Sequence, residues 1–126
     1  MECNVTEKIL CFLINDKELY LERILVEYDK IPIFFLCRNE DMRYLCLCYD
    51  IDNLRYYIVS VSTKNVFNLL HGKTPMRDIF LNQSKYWDIS AGQESGKDVV
   101  KECPIADLGQ DVLPNKNAYY EAPSEF

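Results

Sequence analysis

The sequence predicts an α+β domain: an antiparallel β-meander, two short helices, one more strand and an acidic C-terminal tail. Three observations carry this. Four strand-like runs lie between residues 19 and 61, separated by clusters of Asp, Asn, Glu and Lys. Apolar spacing then becomes helical from Ser62 to Leu81. After Ala91, glycine and proline punctuate a stretch that lacks period.

In chain order, residues 5–14 are ambiguous. Thr6 suits the cap of a short helix, and Ile9–Ile14 suits a buried strand equally well. Asn15-Asp16-Lys17 reads as a turn. Leu19–Tyr28, Ile31–Cys37, Met42–Tyr49 and Leu54–Val61 read as strands. The breaks are Asp29-Lys30, Asn39-Glu40-Asp41 and Asp50-Ile51-Asp52-Asn53, and links this short force antiparallel neighbours. Pro32 suits a strand start or an edge.

Alternate residues on a strand face opposite sides. Tyr44, Cys46 and Cys48 therefore oppose Leu45, Leu47 and Tyr49, while Tyr56 and Ile58 oppose Tyr57, Val59 and Val61. Both faces are apolar, so both need covering. Helices, the chain's own tail, a partner, or a curled, partly barrel-like sheet would each do this.

Ser62-Thr63 opens the first helix, with Val66, Phe67, Leu69 and Leu70 at helical spacing, His71 in its last turn and Gly72 as its stop. Thr74-Pro75 begins the second, with Pro at the first helical position and Met76, Ile79, Phe80 and Leu81 apolar. Asn82-Gln83-Ser84 ends it and Lys85–Ser90 reads as a strand. The expected division is a single body over residues 1–90 and an acidic tail over 91–126, packed in part on the body or disordered. Val99–Ile105 is suited to pairing with a sheet edge.

A chain of 126 residues is one domain by length, and its 48% apolar and 27% charged residues are near the globular average. The net charge of −6 is uneven. Residues 1–90 hold 11 basic and 13 acidic side chains, and residues 91–126 hold 3 and 7. A near-neutral body with an acidic tail argues against nucleic acid as a partner, since that affinity rests on Lys and Arg against phosphate. No apolar run approaches a membrane span. Of six cysteines, most lie in apolar strand-like runs, where a free thiol acts as a small hydrophobe. Ile9–Ile14 is followed by charge without a small-residue cleavage site, which reads against a secretory leader. Reduced thiols and a cytoplasmic location are expected.

The candidate chemistry is sparse. Cys46 and Cys48 share a strand face, but one histidine and no second cysteine pair leave a zinc set incomplete, so no metal or other cofactor is expected. His71, the single histidine, would have to serve any Cys–His or Ser–His hydrolase. A helix C-terminus is also reason enough for a histidine there. Lys64, His71, Lys73, Thr74 and Arg77 form the one local basic cluster, a candidate site for a small, nucleotide-like anion or simply a solvated helix face. Tyr44, Tyr56, Tyr86 and Trp87 are candidate partner-binding rings, because their polar ends want an outlet. Phe34, Phe35, Tyr57 and Phe67 are assigned to the core. Asp50 with Asp52 and Glu40 with Asp41 lie in turns, where carboxylates serve the backbone. Asn117–Phe126 interleaves acids with rings, as docking segments do and as solvated termini also can.

Residues 25–81 resemble a small bacterial and phage domain family without an assigned activity. The matching features are Tyr28-Asp29, Pro32-Ile33-Phe34, Tyr44-Leu45, Tyr56-Tyr57-Ile58, the helical Val66–Leu70 and Met76-Arg77-Asp78. The resemblance implies a bacterial or phage origin and an α+β domain. The functional expectation is a non-catalytic interaction or regulatory protein, bound to a protein partner or to itself. The alternatives are sequestration of a nucleotide-like anion in phage–host conflict, and a hydrolase using His71.

Overall fold

The computed structural model describes residues 9–14, 16–90 and 99–121. Seven strands form one antiparallel sheet in sequence order: β1 Leu10–Ile14, β2 Lys17–Tyr28, β3 Ile31–Arg38, β4 Arg43–Asp50, β5 Arg55–Val61, β6 Lys85–Ser90 and β7 Val99–Pro104. Helices α1 Thr63–Leu70 and α2 Met76–Leu81 lie between β5 and β6. The first apolar run is thus a strand from Leu10 onward, and the Thr6 cap lies outside the described residues.

The turns work through side-chain chemistry. Asp29 and Lys30 both take positive φ, 50° and 66°, as a two-residue turn matched to strand twist requires. Asn39 Oδ1 accepts from the backbone N–H groups of Asp41 (2.9 Å) and Met42 (2.8 Å). Asp50 accepts from the Asn53 backbone (3.2 Å) and amide (2.9 Å), and these bonds hold its carboxyl below the usual range.

Capping fixes α1. Ser62 Oγ accepts from Asn65 N and Asn65 Oδ1 accepts from Ser62 N, both at 3.0 Å. Gly72, at φ 66°, stops the helix, and the Lys73 N–H reaches back to Asn68 O at 2.8 Å. In α2, Pro75 is the residue before the helix rather than its first member, and no side chain caps it.

The two apolar faces are covered differently. Phe34, Leu36, Leu45, Leu47, Val59 and Val61 pack under Val66 and Leu69 of α1 and Ile79 and Phe80 of α2. Leu108, Leu113 and Tyr120 complete that layer, so residues 105–121 cross it as a strap. The strap contains two single 3₁₀ turns, Ile105–Asp107 and Gln110–Val112.

The opposite face is covered by the sheet itself. Phe12, Ile14 and Leu19 of the β1–β2 hairpin join Phe35, Cys37, Tyr44, Cys46, Cys48, Tyr56, Ile58, Trp87 and Ile89. A flat sheet would hold β1 about 19 Å from β5. The Phe12 and Tyr56 rings are 4.9 Å apart, so the sheet is curled into a half-barrel. β2 shows why. Its register with β3 slips between Leu21 and Arg23, between Ile24 and Val26, and between Val26 and Glu27. Such slips bend a strand and raise its twist. Arg43 clasps the bend, donating through Nε at 3.1 Å and through Nη2 to the carboxylate of Glu22.

Candidate functional site

The expected basic cluster divides in two. Lys64, His71 and Lys73 are exposed. With Phe67 they form the outward side of α1 and its exit, since residues three, four and seven apart share a helix face. Phe67 is 48% exposed, which corrects its assignment to the core. Val66, Leu69 and Leu70 satisfy the inward face without it. The His71 ring lies 4.1 Å from the Phe67 ring at 34°, and Lys73 Nζ sits 4.9 Å from its centroid. The result is an exposed ring held between two basic groups.

Arg77 is not part of that surface. Its guanidinium donates to Pro114 O and to Gln110 Oε1, both at 3.1 Å, and so fastens the strap. Nor is the start of α2 open to an anion, because Met76 N donates to Ala118 O at 2.9 Å. Thr74, half-buried, donates its N–H to Asn68 O at 3.3 Å. Of the five residues grouped from the sequence, three face solvent together.

Tyr44, Tyr56, Tyr86 and Trp87 are between 4% and 9% exposed. Their rings fill the two cores, which leaves little of them for a partner. Tyr44 meets Trp87 edge-on at 5.8 Å inside the half-barrel. Tyr86 faces the strap and donates to Asp107 O at 3.2 Å. Burial drives the Tyr86 and Tyr56 phenols upward, Tyr56 to about 12.

A polar clasp continues from Tyr86. Tyr57 packs edge-on against it at 5.2 Å and stacks on Tyr49 at 4.0 Å. The Tyr49 hydroxyl donates to Asp88 Oδ1 at 2.6 Å, while Arg55 pairs with Asp88 Oδ2 at 3.4 Å. Gly109 passes so close that a Cβ there would stand 3.2 Å from the Tyr57 oxygen. Burial, then the bond to Asp88, raises the Tyr49 phenol, so it remains a donor. The group anchors the strap, and its phenols are poorly suited to act as bases.

The thiols follow the same logic. Cys37, Cys46 and Cys48 are buried, and Cys11 is half-buried at an apolar recess of about 160 Å³ beside Phe12, Phe35 and Tyr56. Cys11 stands on β1, Cys37 on β3 and Cys46 on β4, and Cys11 Sγ reaches Ile9 O at 3.8 Å. The bond to Cys37, then burial, pushes the Cys11 thiol up. For Cys37 the bond from Cys11 lowers the value, but the bond to Cys46 and burial outweigh it. A raised thiol pKa, as for Cys11 and Cys37, weakens a cysteine as a nucleophile. Among the described residues, no three His, Cys, Asp or Glu side chains converge as a metal site. No helix among them is long and apolar enough to cross a membrane.

A second concavity, about 750 Å³, lies between the β1–β2 and β3–β4 turns. Lys17, Arg38, Glu18, Glu40 and Asp41 line it with mixed charge. No sequence motif marks it.

The described architecture is thus an α+β half-barrel with an exposed cationic–aromatic surface on its first helix. No protein-family model, curated protein or solved structure matches the chain.

Proposed function

We propose that this is a non-catalytic interaction protein that engages a protein partner through Lys64, Phe67, His71 and Lys73. The observation that carries this reading is Phe67, half exposed on a capped helix with His71 and Lys73 against its ring. Single exposed apolar residues are ordinary. A ring flanked by His71 and Lys73 is a better anchor than an unsupported side chain, because less rotamer entropy remains to be lost on binding.

The test is affinity capture with the wild-type chain, F67A and K73E, each checked for an unchanged melting temperature. The reading predicts a partner retained by the wild type and lost from both variants. Identical capture by all three, or no specific capture by the wild type, contradicts it.

The exposed Lys64, His71 and Lys73 also favour one second reading, a small anionic ligand. A thermal-shift screen of nucleotides tests it, because a ligand of the folded state raises the melting temperature. Flat responses throughout would remove it. The free thiols among the described residues support a reducing compartment for either reading.

A further inference from the structure

We propose that the concavity between the β1–β2 and β3–β4 turns binds a small zwitterion, an α-amino acid or short peptide with its ammonium and carboxylate both free. The site is separate from the α1 surface and does not depend on it. Its volume, about 750 Å³, is within the usual range of small-molecule sites. Lys17, Glu18, Tyr20 and Leu21 of β2 line it together with Arg38, Asn39, Glu40 and Asp41 from the end of β3 and the turn that follows.

The first observation is Arg38. It stands directly opposite Arg43 in the β3–β4 register, so the two side chains share a face and repel. Arg43 donates through both Nε and Nη2 to the carboxylate of Glu22. Glu22 is thereby committed to one arginine of the two. Arg38 has no ion pair among the described residues, and neither has Lys17. A guanidinium in that state favours a carboxylate, which accepts two parallel N–H bonds from it.

The second observation is the acidic turn. Asn39 Oδ1 holds the backbone N–H groups of Asp41 and Met42, and the Asn39 N–H donates to Met42 O at 3.0 Å. These bonds fix the turn through its own groups. The Glu40 and Asp41 carboxylates, both exposed, are left without a basic partner among the described residues. Glu18 differs, because it accepts from the Tyr20 hydroxyl at 2.7 Å. One concavity thus holds cations and carboxylates that do not pair with one another. A simple anion there meets Glu40 and Asp41, and a simple cation meets Lys17 and Arg38, so repulsion offsets attraction in each case. A molecule carrying both charges avoids this. Each exposed pair is weak alone. Two pairs made by one molecule add, while the association cost is met once. Tyr20 and Leu21, both half-buried, offer apolar surface to the ligand's side chain.

The experiment follows amide ¹H–¹⁵N signals of the full chain during titration with L-leucine and with leucyl-phenylalanine, each to about 10 mM. N-acetyl-leucine and leucinamide, which each lack one of the two charges, are titrated beside them. The inference predicts saturable shifts in residues 17–21 and 38–41 with the zwitterions. Either control should bind about tenfold more weakly or worse, as loss of a charged hydrogen-bond partner implies. R38E should abolish the response and E40Q/D41N should weaken it about tenfold. All three positions are exposed, so neither variant should melt below the wild type. F67A should respond as the wild type does, which separates this site from the α1 surface. Absence of shifts with both zwitterions overturns the proposal. So do equal shifts with the singly charged controls, shifts confined to other residues, or an R38E chain that binds as well as the wild type.

Discussion

The ring of Phe12 on β1 lies 4.9 Å from the ring of Tyr56 on β5, although three strands separate them in the sheet. That contact closes the half-barrel. It lets a meander with two apolar faces bury one under helices and strap and the other under itself.

Phe12 is 3% exposed, so F12A should remove both the seal and a large buried ring. Phe-to-Ala changes in cores cost about 3–5 kcal/mol. Leu10, two residues away and 49% exposed, should lose under about 0.5 kcal/mol as L10A. Denaturant unfolding followed through Trp87, which is buried in the same core, gives both values. Equal losses would contradict the closure.

Lys30 occupies left-handed backbone at φ 66° without being glycine. That conformation costs an L-residue about 1–2 kcal/mol, part of which glycine returns as unfolded-state entropy. K30G should therefore stabilise the fold by about 0.5–1 kcal/mol, read as a higher denaturation midpoint at constant m-value.

Stability should fall at alkaline pH. The Cys37 thiol, by the balance of its bonds and burial, and the Tyr56 phenol, by burial, titrate higher in the folded protein than their reference values of 9.0 and 10.0. Their stabilising contribution is complete below those unfolded-state values and is lost as pH rises above them, because only the unfolded chain then releases the proton. Each such group removes up to about 1.4 kcal/mol per pH unit. Denaturation midpoints should hold steady between about pH 7 and 8.5 and decline from about pH 9, where the thiol begins to ionise in the unfolded chain. The decline should be shallower in C37A after allowance for its lower baseline.

Arg77 holds the strap through Pro114 O and Gln110. R77A should cost about 1–2 kcal/mol. It should also speed tryptic cleavage after Lys116, which is exposed two residues after Pro114, without changing cleavage after the β-strand lysines. Uniform acceleration at all sites would point to global unfolding instead.

Much of the fold was legible in the residues. Asp29-Lys30, Asn39–Asp41 and Asp50–Asn53 are turns because their side chains or φ values make them so. Ser62 and Gly72 bound α1 by capping. The curl was less so, because the register slips in β2 depend on which residues of β3 they meet. The strap was hidden for a related reason. Leu108, Leu113 and Tyr120 have no common period and are ordered by the groove they fill. The candidate surface was half visible: Lys64, His71 and Lys73 could be grouped by spacing, but Phe67 read as core because apolar content alone cannot tell the inward side of a short helix from its edge.

The most direct test of the account is the affinity of a captured partner for the wild-type chain and for F67A. The account predicts at least a tenfold weaker Kd for F67A, with a melting temperature within about 2 °C of wild type, as expected for a half-exposed side chain. An unchanged Kd would contradict it and move the interaction surface away from α1.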